Sequence, residues 1–356
     1  MKKTLSVFAL TLGFLALMDL AVAGVLRLAE AQGRLGGLVQ YFEYGRSVPG
    51  KLARWRARPG TRGNLFDVAW RSEIVAASTE RFAKEPESIG QVIRTYGMSF
   101  TSNILRPAAA LSPQLTLDQH VGPSASPNFT YALFLDDRAN RRPGDVAVLG
   151  VLSSGVPALA ALSNRTWIFE QPAPFTYPVF RLQGDGLERI EPLIDSAAAE
   201  RALTEDPDPA WTRQLAQKDA FHGWANFGAP WLDVSPFARL VRRSLATAHV
   251  AEVEAEILAG ESFPYEEVLR RILVAFAETA HADGQTPLVM LIQTRDPVDA
   301  DLLALARPVL ERHDIPYFAT AEHVDPRDPS GFLGDGHYRP EIDRMFAERL
   351  REILAP

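Results

Sequence analysis

Two nearly continuous apolar runs mark the interior of a predicted sheet. One extends from Asp145 to Leu152 (DVAVLGVL) and the other from Pro287 to Gln293 (PLVMLIQ). Side chains of a strand alternate between two faces, so a run that is apolar at every position predicts a strand buried on both faces, as in a parallel sheet. The segment before the second run, from Ser262 to Gly284, has apolar residues at helical spacing. Ser262 is its candidate N-cap, with Pro264 in the first turn and Gly284 as the stop.

The same two patterns alternate along most of the chain. Alternation of strands and helices predicts an α/β sandwich around a parallel sheet. Further predicted strands are Gln91–Tyr96, Leu115–His120 and Ile315–Ala319, and further predicted helices are Asn128–Asp137, Ala300–His313 and a last helix that begins at Pro340.

The amino terminus is an apolar run with a basic start. Lys2 and Lys3 precede a run from Leu5 to Leu26 that is interrupted by Asp19 and a few small or polar residues. Such a run is long enough to span about 30 Å of hydrocarbon as a helix, and its charge pattern is typical of a secretory signal or an uncleaved anchor. We expect a membrane anchor with the bulk of the chain outside the cytoplasm, periplasmic or extracellular. Secretion after cleavage near Ala23 is the alternative, and a buried helix of a soluble protein would require an accidental charge asymmetry.

These patterns divide the chain into segments. Residues 1–26 form the signal anchor or signal peptide, and 27–85 form a juxtamembrane connector rich in Arg, Gly and Pro. Residues 86–356 form the α/β domain. Within it, the alternation is interrupted at about 165–261, where Trp, Pro and acidic residues predict an insertion.

Composition and charge exclude several classes of protein. The 356 residues contain no Cys, which excludes thiolate catalysis, Cys-ligated zinc and iron–sulfur clusters. Lys and Arg number 37 against 44 Asp and Glu, a net charge of 37 − 44 = −7, so nucleic acid is not an expected partner. The histidines show no metal-ligand spacing and no Gly-rich phosphate loop follows a strand. We therefore predict no metal and no cofactor.

Two short motifs contain residue types used in nucleophilic catalysis. Ser99 follows the first predicted strand at a strand-to-helix turn, where open α/β sheets bind their ligands. Asp335 and His337 lie two residues apart in a Gly-rich loop before the last helix, so in an extended segment they point to the same side and the carboxylate is able to orient the imidazole. Taken singly, Ser99 also fits a helix N-cap, and the Asp-Gly-His segment also fits a polar turn.

In order and position these motifs resemble the SGNH (GDSL-type) hydrolase superfamily. Gly97-Met98-Ser99-Phe100 stands where that family has Gly-Asp-Ser. Asp335-Gly336-His337-Tyr338-Arg339-Pro340 is similar to the family's last block, with the Asp-x-His spacing that its alginate-acetylation members also show. The resemblance covers about 86–164 and 285–356. It implies a three-layer α/β/α sandwich in which Ser99 attacks an ester carbonyl, His337 takes the proton and Asp335 orients the imidazole.

The resemblance also implies an oxyanion hole, which this sequence fills only in part. The backbone N–H groups of Ser99 and of Gly122, which matches the second block by position, are the first two donors. The third block lacks its Asn, and Leu152-Ser153-Ser154-Gly155 occupies its place. Ser154 or Ser153 is the candidate substitute, with Asn164 as a weaker alternative. Loss of one oxyanion donor typically costs about 2.7–4 kcal/mol of transition-state stabilisation.

Function follows from the triad and the predicted location. We expect a serine esterase that acts on O-acyl esters, most simply O-acetyl esters, of a carbohydrate or exopolysaccharide. The alternatives are an O-acetyltransferase with the same triad, a lipid esterase or thioesterase, and a catalytically inactive SGNH-like scaffold subunit of the envelope polysaccharide machinery. The missing third-block Asn favours the inactive scaffold, whereas retention of Ser99, Asp335 and His337 favours an enzyme.

Other residues are candidates for contact with the substrate. His120 and Gln293 lie at predicted strand ends, where loop solvation is the alternative role. Several aromatic residues of the insertion are candidates for stacking on sugar rings, with a place in the core as the alternative. They are Trp167, Trp211, Trp224, Trp231, Phe175 and Tyr177.

Overall fold

The computed structural model describes residues 2–58, 70–84, 90–112, 115–123, 125–163, 177–199, 210–296 and 298–354. The chain divides into two compact units. Unit 1 comprises Met1–Phe66, Ser163–Pro174 and Leu215–Val253, and unit 2 comprises Asp67–Leu162, Phe175–Gln214 and Glu254–Pro356. The predicted connector at 27–85 and the predicted insertion at about 165–261 are thus each divided between the units.

The α-helices lie close to the positions that the apolar spacing predicts. The helix expected to start at Ser262 begins at Tyr265, with Pro264 at the N-cap position. The helices of the described residues are α1 Lys2–Ala31, α2 Gly36–Glu43, α3 Val48–Ala57, α4 Arg71–Lys84, α5 Ser99–Ala110, α6 Pro127–Asp136, α7 Ala210–Lys218, α8 Trp224–Phe227, α9 Pro236–Leu258, α10 Tyr265–Ala282, α11 Leu302–Arg312 and α12 Pro340–Leu354.

Unit 2 contains a five-stranded parallel sheet in the order β2-β1-β3-β6-β7, and an antiparallel hairpin of β4 and β5. The strands are β1 Gln91–Gly97, β2 Leu115–Val121, β3 Val146–Leu152, β4 Val179–Gln183, β5 Gly186–Ile190, β6 Thr286–Ile292 and β7 Tyr317–Ala319. Every residue of β3 is buried, and so is every residue of β6 after Thr286. The predicted α/β class with a mainly parallel sheet is confirmed.

Helices cover both faces of this sheet. The Tyr96 ring contacts Phe134 of α6 edge-on, with ring centroids 5.4 Å apart. The next residue, Gly97, faces Thr101 of α5. Successive strand residues point to opposite faces, so α6 and α5 lie on opposite sides of β1. The parallel strands all end at the edge where β1 leads into α5.

A cluster of charged side chains is buried on the Tyr96 face. Arg94 is fully buried, and its Nη1 lies 2.8 Å from Asp118 Oδ2 while its Nε lies 3.2 Å from Asp145 Oδ2. The Tyr96 hydroxyl donates a hydrogen bond of 2.7 Å to Asp137 Oδ2. Buried charges are tolerated where they are paired and hydrogen-bonded in this way.

In unit 1, α1 is both the predicted anchor and a packing element. It is long and apolar enough to cross a membrane, with a mean hydropathy of 2.1 in its most apolar window, none of which is buried. Beyond that window, Leu26 and Ala29 pack against Val39 of α2, with Val22 and Phe42 beside them. The first half of α1 therefore has no protein covering among the described residues, and the second half belongs to the fold of unit 1.

Candidate active site

A tight turn between β1 and α5 places Ser99 at the carboxyl edge of the sheet. The Met98 N–H donates to Thr101 Oγ1 at 2.9 Å, and the Thr101 hydroxyl donates to the Met98 carbonyl at 2.6 Å. Thr101 fits there because glycine faces it from both neighbouring strands: a Cβ on Gly97 would lie 2.2 Å from Thr101 Oγ1, and one on Gly150 2.3 Å from Thr101 Cγ2. The close approach leaves Ser99 exposed as the first residue of α5.

The loop before α12 brings His337 to Ser99. His337 Nε2 lies 2.7 Å from Ser99 Oγ, a hydrogen-bond distance across 238 positions of sequence. The imidazole stacks on the Phe100 ring, with centroids 4.6 Å apart and planes inclined by 21°. Beside it, Tyr338 donates its hydroxyl hydrogen to the Gln293 carbonyl and is buried. The imidazole is thus held by packing on one side and by an anchored neighbour in the chain.

Asp335 contacts the other side of His337. Its Oδ2 lies 3.3 Å from His337 Nδ1, and its Oδ1 accepts the His337 backbone N–H at 3.1 Å. The backbone hydrogen bond is the main cause that holds the pKa of Asp335 below its ordinary value, so the carboxylate is ionised at neutral pH. Gly336 between them has a φ of +89°, in the left-handed region that favours glycine. The carboxylate, the imidazole and the hydroxyl thus stand in the order of a Ser-His-Asp triad.

The two backbone amides predicted for the oxyanion hole, those of Ser99 and Gly122, differ in their hydrogen bonding. The Ser99 N–H lies in the first turn of α5, where backbone amides have no acceptor within the helix. The Gly122 N–H, in contrast, donates to the Gly97 carbonyl at 3.1 Å, extending the ladder between β1 and β2. The predicted role of Gly122 as an oxyanion donor is therefore contradicted. Glycine is needed there for space, because a Cβ would lie 2.4 Å from Phe129 Cε1.

The two serines after β3 have different surroundings. Ser153 is buried, and its Oγ lies 2.6 Å from Thr294 Oγ1 and donates to Asp299 Oδ2 at 3.2 Å. Ser154 lines the same cleft as Ser99, a concavity of about 470 Å³. Of the two, Ser154 is the one that lines the cleft, and the alternative Asn164 lies outside the described residues.

His120 and Gln293 do not line this cleft, contrary to the prediction. His120 is fully buried, stacks on Tyr96 with centroids 5.0 Å apart, and places Nε2 3.3 Å from Asp137 Oδ1. Burial raises the pKa of Asp137, but the close contact with His120 and the hydrogen bonds from Asn140 and Tyr96 outweigh it and hold that pKa below its ordinary value.

Gln293 is also turned inward. Its Nε2 donates to the Ala300 carbonyl at 3.1 Å and its Oε1 accepts the Leu302 N–H at 3.1 Å. Gln293 therefore holds the loop between β6 and α11 in place, and its side chain is not available to a substrate.

A group of possible metal ligands accompanies His120. Donor atoms of Asp118, His120 and Asp137 lie within 4.8 Å of one another. Arg94 Nη1, however, lies 2.8 Å from Asp118 Oδ2 and 3.9 Å from Asp137 Oδ2. The guanidinium thus supplies the positive charge that a cation would bring, so these residues do not fit a metal centre.

The aromatic residues proposed for sugar stacking also divide. Tyr177 and Trp211 are buried, which contradicts a role in binding sugar rings. Trp224 and Trp231 are exposed and belong to unit 1. Trp167 and Phe175 lie outside the described residues.

Sequence reasoning missed the residues that support the triad. Phe100 and Tyr338 hold the imidazole, and Thr101 shapes the nucleophile turn. Phe100 and Tyr338 belong to the two sequence motifs and Thr101 directly follows the first, but only the packing reveals their roles.

Comparison with known proteins adds no family assignment. No family model matches the chain, and no curated protein matches it.

Proposed function

We propose that the protein is a serine ester hydrolase or acyltransferase of SGNH type. The observation that supports this most directly is the contact between Ser99 Oγ and His337 Nε2 at 2.7 Å, with Asp335 on the far nitrogen. A nucleophile, a base and an orienting carboxylate within hydrogen-bond reach are the arrangement that activates a serine hydroxyl. They meet at the carboxyl edge of a parallel sheet, where open α/β folds bind ligands.

The reaction proceeds in two steps. Ser99 Oγ attacks the ester carbonyl while His337 Nε2 takes the hydroxyl proton, and the imidazolium returns that proton to the departing alkoxide. The Ser99 N–H stabilises the tetrahedral oxyanion, with Ser154 as the second candidate donor. Water in a hydrolase, or an acceptor hydroxyl in a transferase, then attacks the acyl-enzyme with His337 again as base.

The order of the strands is compatible with the proposed SGNH type. With β6 and β7 as its fourth and fifth strands, the sheet has the doubly wound order 2-1-3-4-5, and its helices lie on both faces. This order is consistent with a three-layer SGNH-like sandwich in which the nucleophile follows the first strand and the base precedes the last helix. The substituted third block remains the main departure from the family pattern.

The proposed substrate is an O-acyl ester of carbohydrate, most simply an O-acetyl ester of an exopolysaccharide. The cleft beside Ser99 is lined by polar groups that include Thr294, Arg295, Asp296 and Asp299, as a hydroxyl-rich substrate requires. The apolar α1 supports a site tethered to a membrane, with unit 2 outside the cytoplasm. Phe100 and Leu152 also line the cleft, so a lipid esterase or thioesterase is the alternative that substrate profiling must distinguish.

Two measurements test the proposal on the full chain in detergent. Hydrolysis of a small activated acetyl ester should fall by about 10³-fold or more in Ser99→Ala and His337→Ala. A fluorophosphonate should also modify Ser99: its Oγ attacks phosphorus, fluoride leaves and His337 takes the proton. Labelling does not depend on knowing the acceptor, so it also detects a transferase.

Exposed Ser330 and His281 provide matched controls. Ser330→Ala and His281→Ala should retain activity and labelling. Folded parent protein that neither hydrolyses the ester nor reacts with the fluorophosphonate would contradict the enzyme. The engaged Gly122 amide and the absent third-block Asn would then favour the inactive scaffold.

A further inference from the structure

Unit 1 exposes large apolar side chains next to the start of α9. Trp231 and Val234, three residues apart in the 3₁₀ helix Pro230–Val234, are each 71% exposed. Val241 and Leu245 follow at successive positions of one face of α9 and are also exposed. Four large apolar side chains are thus exposed within fifteen residues of chain, and a concentration of exposed apolar surface is typical of a binding role. Trp231, Val234, Val241 and Leu245 are called the Trp231 patch below.

One hydrogen bond ties this region to the apolar helix. The Phe237 N–H, in the first turn of α9, donates to Asp19 Oδ1 of α1 at 2.9 Å. The Asp19 carboxylate satisfies one of the free amides at the N-terminus of α9, where negative charge is favoured. The 3₁₀ helix that carries Trp231 and Val234 ends two residues before α9 begins, so both residues lie close along the chain to Phe237, which contacts Asp19.

The length of α1 places Asp19 near one boundary of a bilayer. From Lys3 to Asp19 the helix rises 16 residues, about 24 Å at 1.5 Å per residue. The hydrocarbon layer is about 30 Å thick, so with Lys3 at one boundary Asp19 lies about 6 Å inside the other. Arg27, eight residues further and about 12 Å higher, then lies at the depth of the headgroups.

The packing of α1 agrees with this depth. Side chains from Leu5 to Met18 are exposed all around the helix, and packing begins at Asp19. The packing of unit 1 thus starts close to the boundary of the hydrocarbon layer, about 6 Å inside it.

From this geometry we infer that the Trp231 patch lies in the interfacial layer of the bilayer that α1 crosses, with Trp231 and Val234 inserted among the lipids. Tryptophan is enriched at this depth because its ring is apolar and its N–H is polar. Burial of apolar surface among the lipid chains stabilises the inserted state. Unit 1 is thereby held against the membrane at a second point besides α1. The inference rests on the proposed anchoring of α1 in a membrane and is independent of the proposed esterase activity.

The absence of cysteine allows a direct test. The variant Val234→Cys of the full chain contains a single thiol. This thiol is labelled with an environment-sensitive fluorophore, and the labelled protein is reconstituted in phosphatidylcholine vesicles. Quenching is measured with lipids carrying a nitroxide near the acyl carbonyl or near the chain end, and with iodide in the water. Phe14→Cys lies about 17 Å along α1 from Lys3 and calibrates the membrane centre. Val298→Cys replaces a unit 2 valine that is also 71% exposed and serves as the matched comparison.

We expect the label at position 234 to lose most fluorescence to the nitroxide near the carbonyl. The label at position 14 should lose most to the nitroxide near the chain end, and the one at position 298 should respond most to iodide. The inference is overturned if the label at position 234 responds to iodide as strongly as that at position 298. It is also overturned if that label is shielded from both iodide and lipid nitroxides, because a protein partner or a second copy then covers the patch.

Discussion

Replacing Arg94 with methionine should destabilise unit 2 more than any exposed arginine replacement. Arg94 is fully buried, and its guanidinium lies 2.8 Å from Asp118 and 3.2 Å from Asp145. Both carboxylates are themselves at most 4% exposed. Methionine fills similar space with an unbranched apolar chain, so the main loss in Arg94→Met is the charge that faces these two carboxylates.

The size of the effect follows from the pairing that remains. Removing one partner of a buried ion pair costs about 3–5 kcal/mol, against a total stability of about 5–15 kcal/mol for a domain. Ser78 still donates to Asp118 at 2.8 Å, and Arg142 still lies 3.4 Å from Asp145, which favours the lower part of that range. For a unit of this size 3–5 kcal/mol corresponds to a fall in Tm of about 6–20 °C.

The assay is thermal unfolding of the full chain, followed by circular dichroism. Arg181→Met, on the exposed part of β4, is the matched control and should change Tm little. Arg94→Lys, which keeps a positive charge but loses the fork of donors, should fall between the two. A Tm of Arg94→Met equal to that of Arg181→Met would refute the reasoning that these charges hold the sheet together.

Two further predictions concern hydroxyl and carboxyl groups. Thr101→Val leaves the buried Met98 N–H without its acceptor. It should therefore lower the free energy of unfolding by about 1–3 kcal/mol and also reduce ester hydrolysis by Ser99. Thr101→Ser keeps the hydroxyl and should retain both the stability and the activity, as measured by thermal unfolding and ester hydrolysis. Burial raises the pKa of Asp343 from 3.8 to about 7. As pH rises, the carboxyl of the unfolded chain loses its proton near pH 4, whereas that of the folded protein keeps its proton until about pH 7. Ionisation therefore favours the unfolded state, and the free energy of unfolding falls between about pH 4 and 7 and is constant above that range. Asp343→Asn should therefore raise Tm more at pH 8 than at pH 5, and an equal gain at both would contradict the assignment.

The strands and the triad were accessible to sequence reasoning because each has a local signal. β3 and β6 are apolar at nearly every position, which few structures other than buried strands require. Ser99 and His337 are identified by position, one after the first strand and the other before the last helix. Their proximity then follows from the parallel sheet, which brings the carboxyl ends of its strands to one edge.

The errors arose where the partner of a polar group is distant in sequence. The acceptor of the Gly122 N–H is the Gly97 carbonyl, and only the register that pairs Gly97 with Val121 reveals it. His120 is polar at the end of a strand, a pattern that equally fits an exposed loop. Its burial depends on Asp137, which reaches it from the segment after α6.

The orientation of the His337 imidazole toward Ser99 depends more on packing than on the charge of Asp335. The Asp335 side chain is 67% exposed, so water and salt screen its attraction to an imidazolium, and its contact with Nδ1 is 3.3 Å. Phe100, in contrast, is only 8% exposed and lies flat against the imidazole. Tyr338 fixes the adjacent backbone through the Gln293 carbonyl at the end of β6. The ring is therefore aimed at Ser99 mainly by the core beneath it, and Asp335 selects the tautomer more than it stabilises the charge.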